Sequence, residues 1–333
     1  MKKGLQTLLL IVLSLTVFIT IINIIPPKKV IVDNPFITKT DKPMIVAHRG
    51  GKILNPENTV KAFDACLTDY NVDVLEMDLC LTKDNELVII HNMYINANCD
   101  VEEVTGITER HYVNDYTYDE LLNYNFGYKF TNLEGAKPYA ALLESVSSSG
   151  RKAAIAGENL NIVRVTDLFA RYYDLYPDLL YIVEIKNDGE LGKVAADILN
   201  ELLTVTYPHL LKNVVIGTFH TEIAKYLEES YPILSTGASI GTAAKFIITQ
   251  MLGVNLFYKG SFICLQIPVA YELKGIELKL AKQNYIDRAH RCNIAVQFWT
   301  INNTDEMKML IDMGVDAIMT DNPQLLSEVL ETY

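Results

Sequence analysis

The chain has 333 residues, 50% of them hydrophobic and 21% charged, an ordinary globular balance with ample material for a core. A formal net charge of −12 argues against a nucleic-acid partner held by counterion release, and it requires any anionic substrate to be gripped by local positive groups. The five cysteines (Cys66, Cys80, Cys99, Cys264 and Cys292) are scattered and lack a C-x-x-C pair, so they indicate neither a disulfide framework nor a zinc site.

The first element is unlike the rest. Lys2 and Lys3 precede an apolar run from about Leu5 to Ile25, which Pro26 and Pro27 end. Roughly 20 such residues span a bilayer as a helix. A cleaved signal peptide is the competing reading, but its apolar region is usually ~7–15 residues long and closes on a small-residue site. Here the run is longer and no A-x-A follows. Residues 1–28 are therefore expected to be a transmembrane signal anchor and 29–43 a linker. Lys28 and Lys29 nearly balance Lys2 and Lys3, so charge only weakly favours an inside N-terminus. The expectation is a single-pass membrane protein with an extracytoplasmic catalytic domain over 44–333.

From Met44 onward, apolar runs of strand length alternate with amphipathic segments of helix length, as in βα units around a parallel sheet. Strands are predicted at MIVAHRG (44–50), VDVLEMDL (72–79), LYIVEIKN (180–187), NVVIGTFH (213–220), ILSTGAS (233–239), FICLQIPV (262–269), AVQFWTIN (295–302) and DAIMTDNP (316–323). ELVIIHN (86–92) pairs with the second. Helices are predicted over 59–70, 190–205, 221–230, 242–252, 285–293, 305–314 and 323–333. Eight strands with intervening helices fit an α/β fold, a (β/α)8 TIM barrel. It carries an insertion of about 93–165 after its second strand and follows an N-terminal transmembrane helix. The insertion is polar and rich in Tyr and Asn, with YTYDELLNYNFG as its best helix. A connection this long is usually functional, and it leaves the chain on the side where barrel active sites lie.

Polar residues now fall into place. Alternate residues of a strand share a face, so Glu76 and Asp78 lie side by side in a run that is otherwise apolar on both faces. Burying two uncompensated carboxylates costs several kcal/mol, on the order of. His48 and Arg49 end the first strand, and Glu184 and Lys186 end the third. Three converging carboxylates, Glu76, Asp78 and Glu184, suit a hard divalent cation, Ca2+ or Mg2+. His48 and His91 supply an acid and a base, while Arg49 and Lys186 grip phosphate oxygens. This combination describes hydrolysis of a phosphodiester. Asp321, in TDNP, is expected to cap the final helix, and no catalytic role is expected for His220.

These residues sit in a recognisable order. AHRGG (47–51), PENT (56–59), EMDLCLTKDNELVIIHN (76–92), VEIKN (183–187) and QFWTINN with GVDAIMTDNP resemble the glycerophosphodiester phosphodiesterase family from about Met44 to the C-terminus. The resemblance implies a TIM barrel that hydrolyses glycerophosphodiesters to an alcohol and glycerol 3-phosphate. It implies metal ligands at Glu76, Asp78 and Glu184, catalytic histidines at His48 and His91, and phosphate contacts at Arg49 and Lys186. It also places Glu57 near the metal, with Asn58 buttressing that turn, and Trp299 at the pocket mouth against the glycerol or leaving group. One departure stands out: the family has Asp where this chain has Asn92. A phospholipase-like enzyme acting on lysophospholipid or a glycerophosphate polymer at the membrane is the alternative. A non-catalytic barrel that binds glycerophosphoryl groups is a third.

Overall fold

The computed structural model describes residues 2–254, 256, 258 and 260–333. Its centre is a ring of parallel strands: β1 (Met44–Ala47), β2 (Val74–Leu81), β4 (Leu180–Ile185), β5 (Val214–Gly217), β6 (Cys264–Ile267), β9 (Ala295–Phe298) and β10 (Ala317–Thr320). The short β3 (Leu87–Ile89) pairs antiparallel with β2, and β7 (Ala270–Leu273) pairs with β8 (Ile276–Lys279) in a separate ribbon. Seven strands do not close the ring alone. The gap between β5 and β6 is filled by single parallel bridges, Ile216 to Thr236 and Gly237 to Cys264. The predicted strand ILSTGAS is thus reduced to two bridging residues. A Cβ on Gly237 would stand 2.4 Å from Oε1 of Gln266, so a larger residue there would displace that side chain.

Alternation along each strand divides the core in two. Leu75, Met77 and Leu79 of β2, with Tyr181, Val183 and Ile185 of β4, point outward under the helices. Val46, Val74, Leu180, Ile182, Val215 and Ala317 fill the barrel interior. Going up each strand on that inner face, Val74 gives way to Glu76 and Asp78, and Leu180 and Ile182 give way to Glu184. Asp78 is in register with Glu184. Apolar packing below and carboxylates above are therefore written into one face of two neighbouring strands.

The surrounding helices agree with expectation at Val60–Asp69, Gly189–Glu201, Thr221–Ser230, Ile240–Met251, Gln283–Arg291, Thr304–Asp312 and Pro323–Glu331. The insertion is packed, with a core of its own formed by Ile95, Cys99, Val101, Val113, Leu121, Tyr124, Phe126 and Ile162 against Cys80 and Val88. Its predicted helix shrinks to one turn, Tyr118–Leu121, closed by a Thr117/Glu120 capping box. Unpredicted helices occur at Arg151–Gly157 and Val165–Tyr172.

The N-terminal helix spans Lys2–Ile24, and its stretch Gly4–Ile24 is long and apolar enough to cross a membrane. The stretch expected as a linker is bound to the barrel's lower end. Phe36 is fully buried among the lowest interior side chains. Asn34 donates to the carbonyls of Ile263 (2.9 Å) and Asn293 (3.0 Å). All five cysteines are free and buried; burial first, then the Asp69 charge, pushes the Cys66 thiol up to about 12.

Candidate active site

The loop after β1 shows why HRGG is written as it is. Arg49, Gly50 and Gly51 all have positive φ, at 52°, 77° and 76°. A Cβ on Gly50 would meet Ala62 at 2.9 Å, and one on Gly51 would meet the Pro323 ring at 2.9 Å. This tight turn brings the Arg49 amide to Glu76, where it donates to Oε2 at 2.8 Å. PENT acts residue by residue. Glu57 accepts from Arg49 Nη1 (3.2 Å) and from Asn98 Nδ2 of the insertion (3.0 Å). Asn58, also at positive φ, donates to Asp78 Oδ2 at 3.2 Å. Thr59 caps the following helix by accepting from the Ala62 amide at 3.3 Å.

Glu76, Asp78 and Glu184 do converge, with one oxygen from each lying within 4.8 Å of the others. Burial, then the Asp78 and Glu184 charges, raise the Glu76 carboxyl well above its usual range. Glu184 is raised by burial, with Lys186 opposing and Asp78 reinforcing the shift. Lys186 lies 2.7 Å from Glu184 Oε1 and 3.6 Å from Asp78 Oδ1. Although burial works against its charge, Glu184 and Asp78 outweigh that and raise its pKa. Arg49 Nε stands 3.4 Å from Asp78 Oδ2. The donor set fits a hard cation: three crowded carboxylate oxygens, with Asn58 Oδ1 buried beside them and without a hydrogen-bond donor. Glu57 is separated from this trio by Arg49, so it buttresses the cluster's edge.

The histidines are held differently. Nδ1 of His48 is 2.5 Å from Asp321 Oδ1, and its Nε2 faces Glu76 Oε2 at 4.0 Å. Asp321 also accepts from Asn302 Nδ2 (2.8 Å) and lies 3.5 Å from Lys52. Burial opposes its ionisation, yet His48, Asn302 and Lys52 together hold its carboxyl below the usual range. The expectation that Asp321 caps the last helix is thus corrected, because Asn322 does so by accepting from the Leu325 amide. Nδ1 of His91 lies 3.1 Å from Oδ1 of Asn92, so the residue that departs from the family pattern still orients the ring. Burial first, with Arg49 and Lys186 adding to it against Asp78, lowers the His91 pKa. His220 is structural here, with Nε2 3.0 Å from the Lys186 carbonyl.

Two unlike walls rise from this centre. On one side, Lys52, Glu57, Asn98, Phe126, Lys129 and Phe130 line a cleft of about 260 Å³ between barrel and insertion. On the other, Trp299 packs edge-on against Phe219, with ring centroids 6.0 Å apart, and Lys186 Nζ is 5.8 Å from the Phe219 centroid. Phe219 was not singled out in the sequence. Its position two residues past β5 was the available signal.

Comparison with known protein families matches residues 48–325 to the glycerophosphoryl diester phosphodiesterase family. The chain belongs to that family. It is an enzyme of the class that hydrolyses glycerophosphodiesters, and its barrel is that of a family member. A curated glycerophosphodiester phosphodiesterase of Caldanaerobacter subterraneus is 23% identical over 290 residues, covering 86% of this chain and 96% of the relative. A lysophospholipase D of Mus musculus is 24% identical over 316 residues, covering 86% of each. The phosphodiesterase domain of a Mycobacterium tuberculosis protein shares the fold with a TM-score of 0.66 at 17% identity, covering 86% of this chain and 98% of that domain. A phosphodiesterase of Oleispira antarctica, solved with sn-glycerol-3-phosphate, matches with a TM-score of 0.59 at 16% identity, covering 87% and 97%.

Proposed function

We propose that this enzyme hydrolyses glycerophosphodiesters to an alcohol and glycerol 3-phosphate, with His48 and His91 as the acid–base pair and Arg49 and Lys186 on the phosphate. The observation that carries the reading is the meeting of Glu76, Asp78 and Glu184 at one end of the barrel, flanked by both histidines. These three carboxylates would hold a Ca2+ or Mg2+ ion, whose chemistry when bound is to neutralise the phosphoryl oxygens. His91, with its lowered pKa, is neutral near pH 7 and takes the proton of the attacking hydroxyl. His48, oriented through Nδ1 by Asp321, gives a proton to the departing alcohol oxygen as the P–O bond breaks. Trp299 and Phe219 pack against the glycerol or leaving group.

The test pairs chelation with calorimetric titration of Mg2+ and Ca2+ into wild type and Asp78→Asn. The reading expects binding to wild type only, and turnover that collapses on chelation. Undiminished hydrolysis after exhaustive chelation removes the cation from the reaction.

A second reading, a lysophospholipase-like activity, is favoured by the β7–β8 ribbon. It springs from Val269 and Leu280, just beyond the β6 end to which the Trp299 amide is bound. Tyr271, Leu273, Ile276 and Leu278 share one face of it and are exposed, while Glu272 and Glu277 take the other. An acyl chain leaving the site past Trp299 would lie along that face, and the mouse relative is named for activity on a lysophospholipid. Leu273→Ser with Ile276→Ser should lower turnover of lysophosphatidylcholine at least tenfold and spare glycerophosphocholine. Equal effects on both would overturn it.

The N-terminal helix supports a single-pass membrane anchor over 1–28; the extracytoplasmic placement of the barrel over 44–333 rests on the slight inside preference of Lys2 and Lys3. At about 1.5 Å per residue, the 21 residues of Gly4–Ile24 reach about 31 Å, the thickness of a bilayer's hydrocarbon core.

A further inference from the structure

The chain that leaves the apolar helix has no slack. Asn23, in the helix's last turn, donates to the Gly253 carbonyl at 2.8 Å, and Arg291 donates to the Ile25 carbonyl at 3.0 Å. The Val30 amide then donates to the Cys292 carbonyl at 2.9 Å, and Asn34 and Phe36 lock the following residues against the barrel. Gly253 and Cys292 belong to turns that lead from a helix into β6 and β9. In a parallel barrel such turns all lie at the end opposite the strand C-termini, and so opposite the active site.

That same end carries large apolar side chains that are mostly exposed among the described residues. They stand in successive turns entering β4, β5, the bridging segment and β6: Leu175 is 70% exposed, Val205 71%, Ile233 61% and Leu252 63%. Met251 and Val32 add to the arc. Four turns that follow one another around the barrel each present an aliphatic residue to solvent, and the last of them, at Leu252 and Gly253, touches the emerging helix. The occupant of this arc follows from that contact: a surface already pinned to the last turn of a membrane span meets the bilayer interface before it meets anything else.

We infer that the barrel sits floor-down on the membrane that holds its own helix, with the arc of Leu175, Val205, Ile233 and Leu252 in the lipid interface and the active site facing away. This rests on reading Gly4–Ile24 as a span and the mouth as the phosphodiesterase site. From Leu180 to Glu184 the strand makes four rises of about 3.3 Å, so about 13 Å of β4 stands between the floor turns and the carboxylates. A phosphodiester held at the surface of that bilayer lies below the floor and out of reach. The substrates are therefore water-soluble diesters, or glycerophosphoryl groups carried well above the membrane. A single-chain lipid reaches the β7–β8 ribbon only through the aqueous phase.

The experiment uses the full chain in phosphatidylcholine–phosphatidylglycerol vesicles. Native cysteines are buried, so a bimane label reports on one introduced thiol at a time: Val205→Cys or Leu252→Cys on the floor, Ile276→Cys on the ribbon. Nitroxide attached to lipid headgroups should quench the two floor labels at least threefold more than the ribbon label, while a soluble quencher should show the opposite order. Quenching of the ribbon alone, or equal quenching everywhere, overturns the seating. An alkaline carbonate wash separates the two readings: release of the chain from the vesicles sinks the span, and the seating with it. Retention with the reversed quenching order sinks the seating only.

Discussion

The two ends of this barrel are built by opposite rules. At the mouth, Glu76, Asp78 and Glu184 are crowded together, and burial with mutual repulsion raises the carboxyl pKa values of Glu76 and Glu184. Arg49 Nε and Asn58 Oδ1 are buried there without hydrogen-bond partners. At the floor, Phe36 fills the lowest layer, Asn34 spends its amide on two carbonyls, and Asp316 accepts from the amides of Thr38 (3.1 Å) and Val296 (2.7 Å). One end crowds like charges together; at the other, carbonyls and amides hold the incoming chain to the barrel. The same strands carry both, so a substitution at one end should affect chemistry and at the other stability.

The largest expected effect breaks the mouth. His48→Ala should lower kcat by about 10²–10⁴-fold, the usual worth of a positioned acid or base, while leaving the melting temperature within a few degrees. Steady-state kinetics and calorimetry on one preparation check both halves. A variant that unfolds early would mean that His48 is chiefly structural.

The floor counterpart is Phe36→Ala. Removing a fully buried ring costs about 3–5 kcal/mol, read as a shift in the urea midpoint. KM and kcat measured well below the transition should stay within twofold. A large change in kcat would show that the two ends are coupled.

Asp321→Asn sharpens the division within the mouth. It keeps the shape and removes the charge that holds His48 Nδ1–H, so kcat should fall about 10–100-fold. KM for the soluble diester should move little, since Asp321 is placed to act through His48.

Much of this was readable from the chain. VLEMDLCL and LYIVEI are apolar on both faces except for Glu76, Asp78 and Glu184, so they had to be central strands with a reason for their carboxylates. What escaped had physical causes. Asp321 and His48 are 273 residues apart, and no local pattern marks that pairing. In YTYDELLNYNFG the helix stops after Leu121, where Asn123 turns its side-chain amide back to the Glu120 carbonyl at 3.1 Å, a local bond that competes with helix. The β7–β8 ribbon was visible in principle. Tyr271 and Leu273 alternate with Glu272, and Lys274–Gly275, at φ 50° and 79°, form a two-residue hairpin turn. Its strands are only four residues long and exposed, so they carry no core signature.

The smallest effect lies on the floor's rim. His290 Nε2 is 2.7 Å from Asp316 Oδ2, and that hydrogen bond, against burial, raises the His290 pKa above its ordinary 6.5. The sign follows from linkage: the folded state holds this proton more tightly than the unfolded chain does. Its stabilisation is complete below about pH 6.5, the unfolded value, and fades as pH climbs through the folded one. Wild type should therefore lose more melting temperature between pH 6 and pH 9 than His290→Gln, with the two curves closest at the alkaline end. His48 at the mouth has a carboxylate partner too, but Asp321→Asn is expected to act on turnover, so this pH-dependent difference in stability should persist unchanged in the Asp321→Asn background.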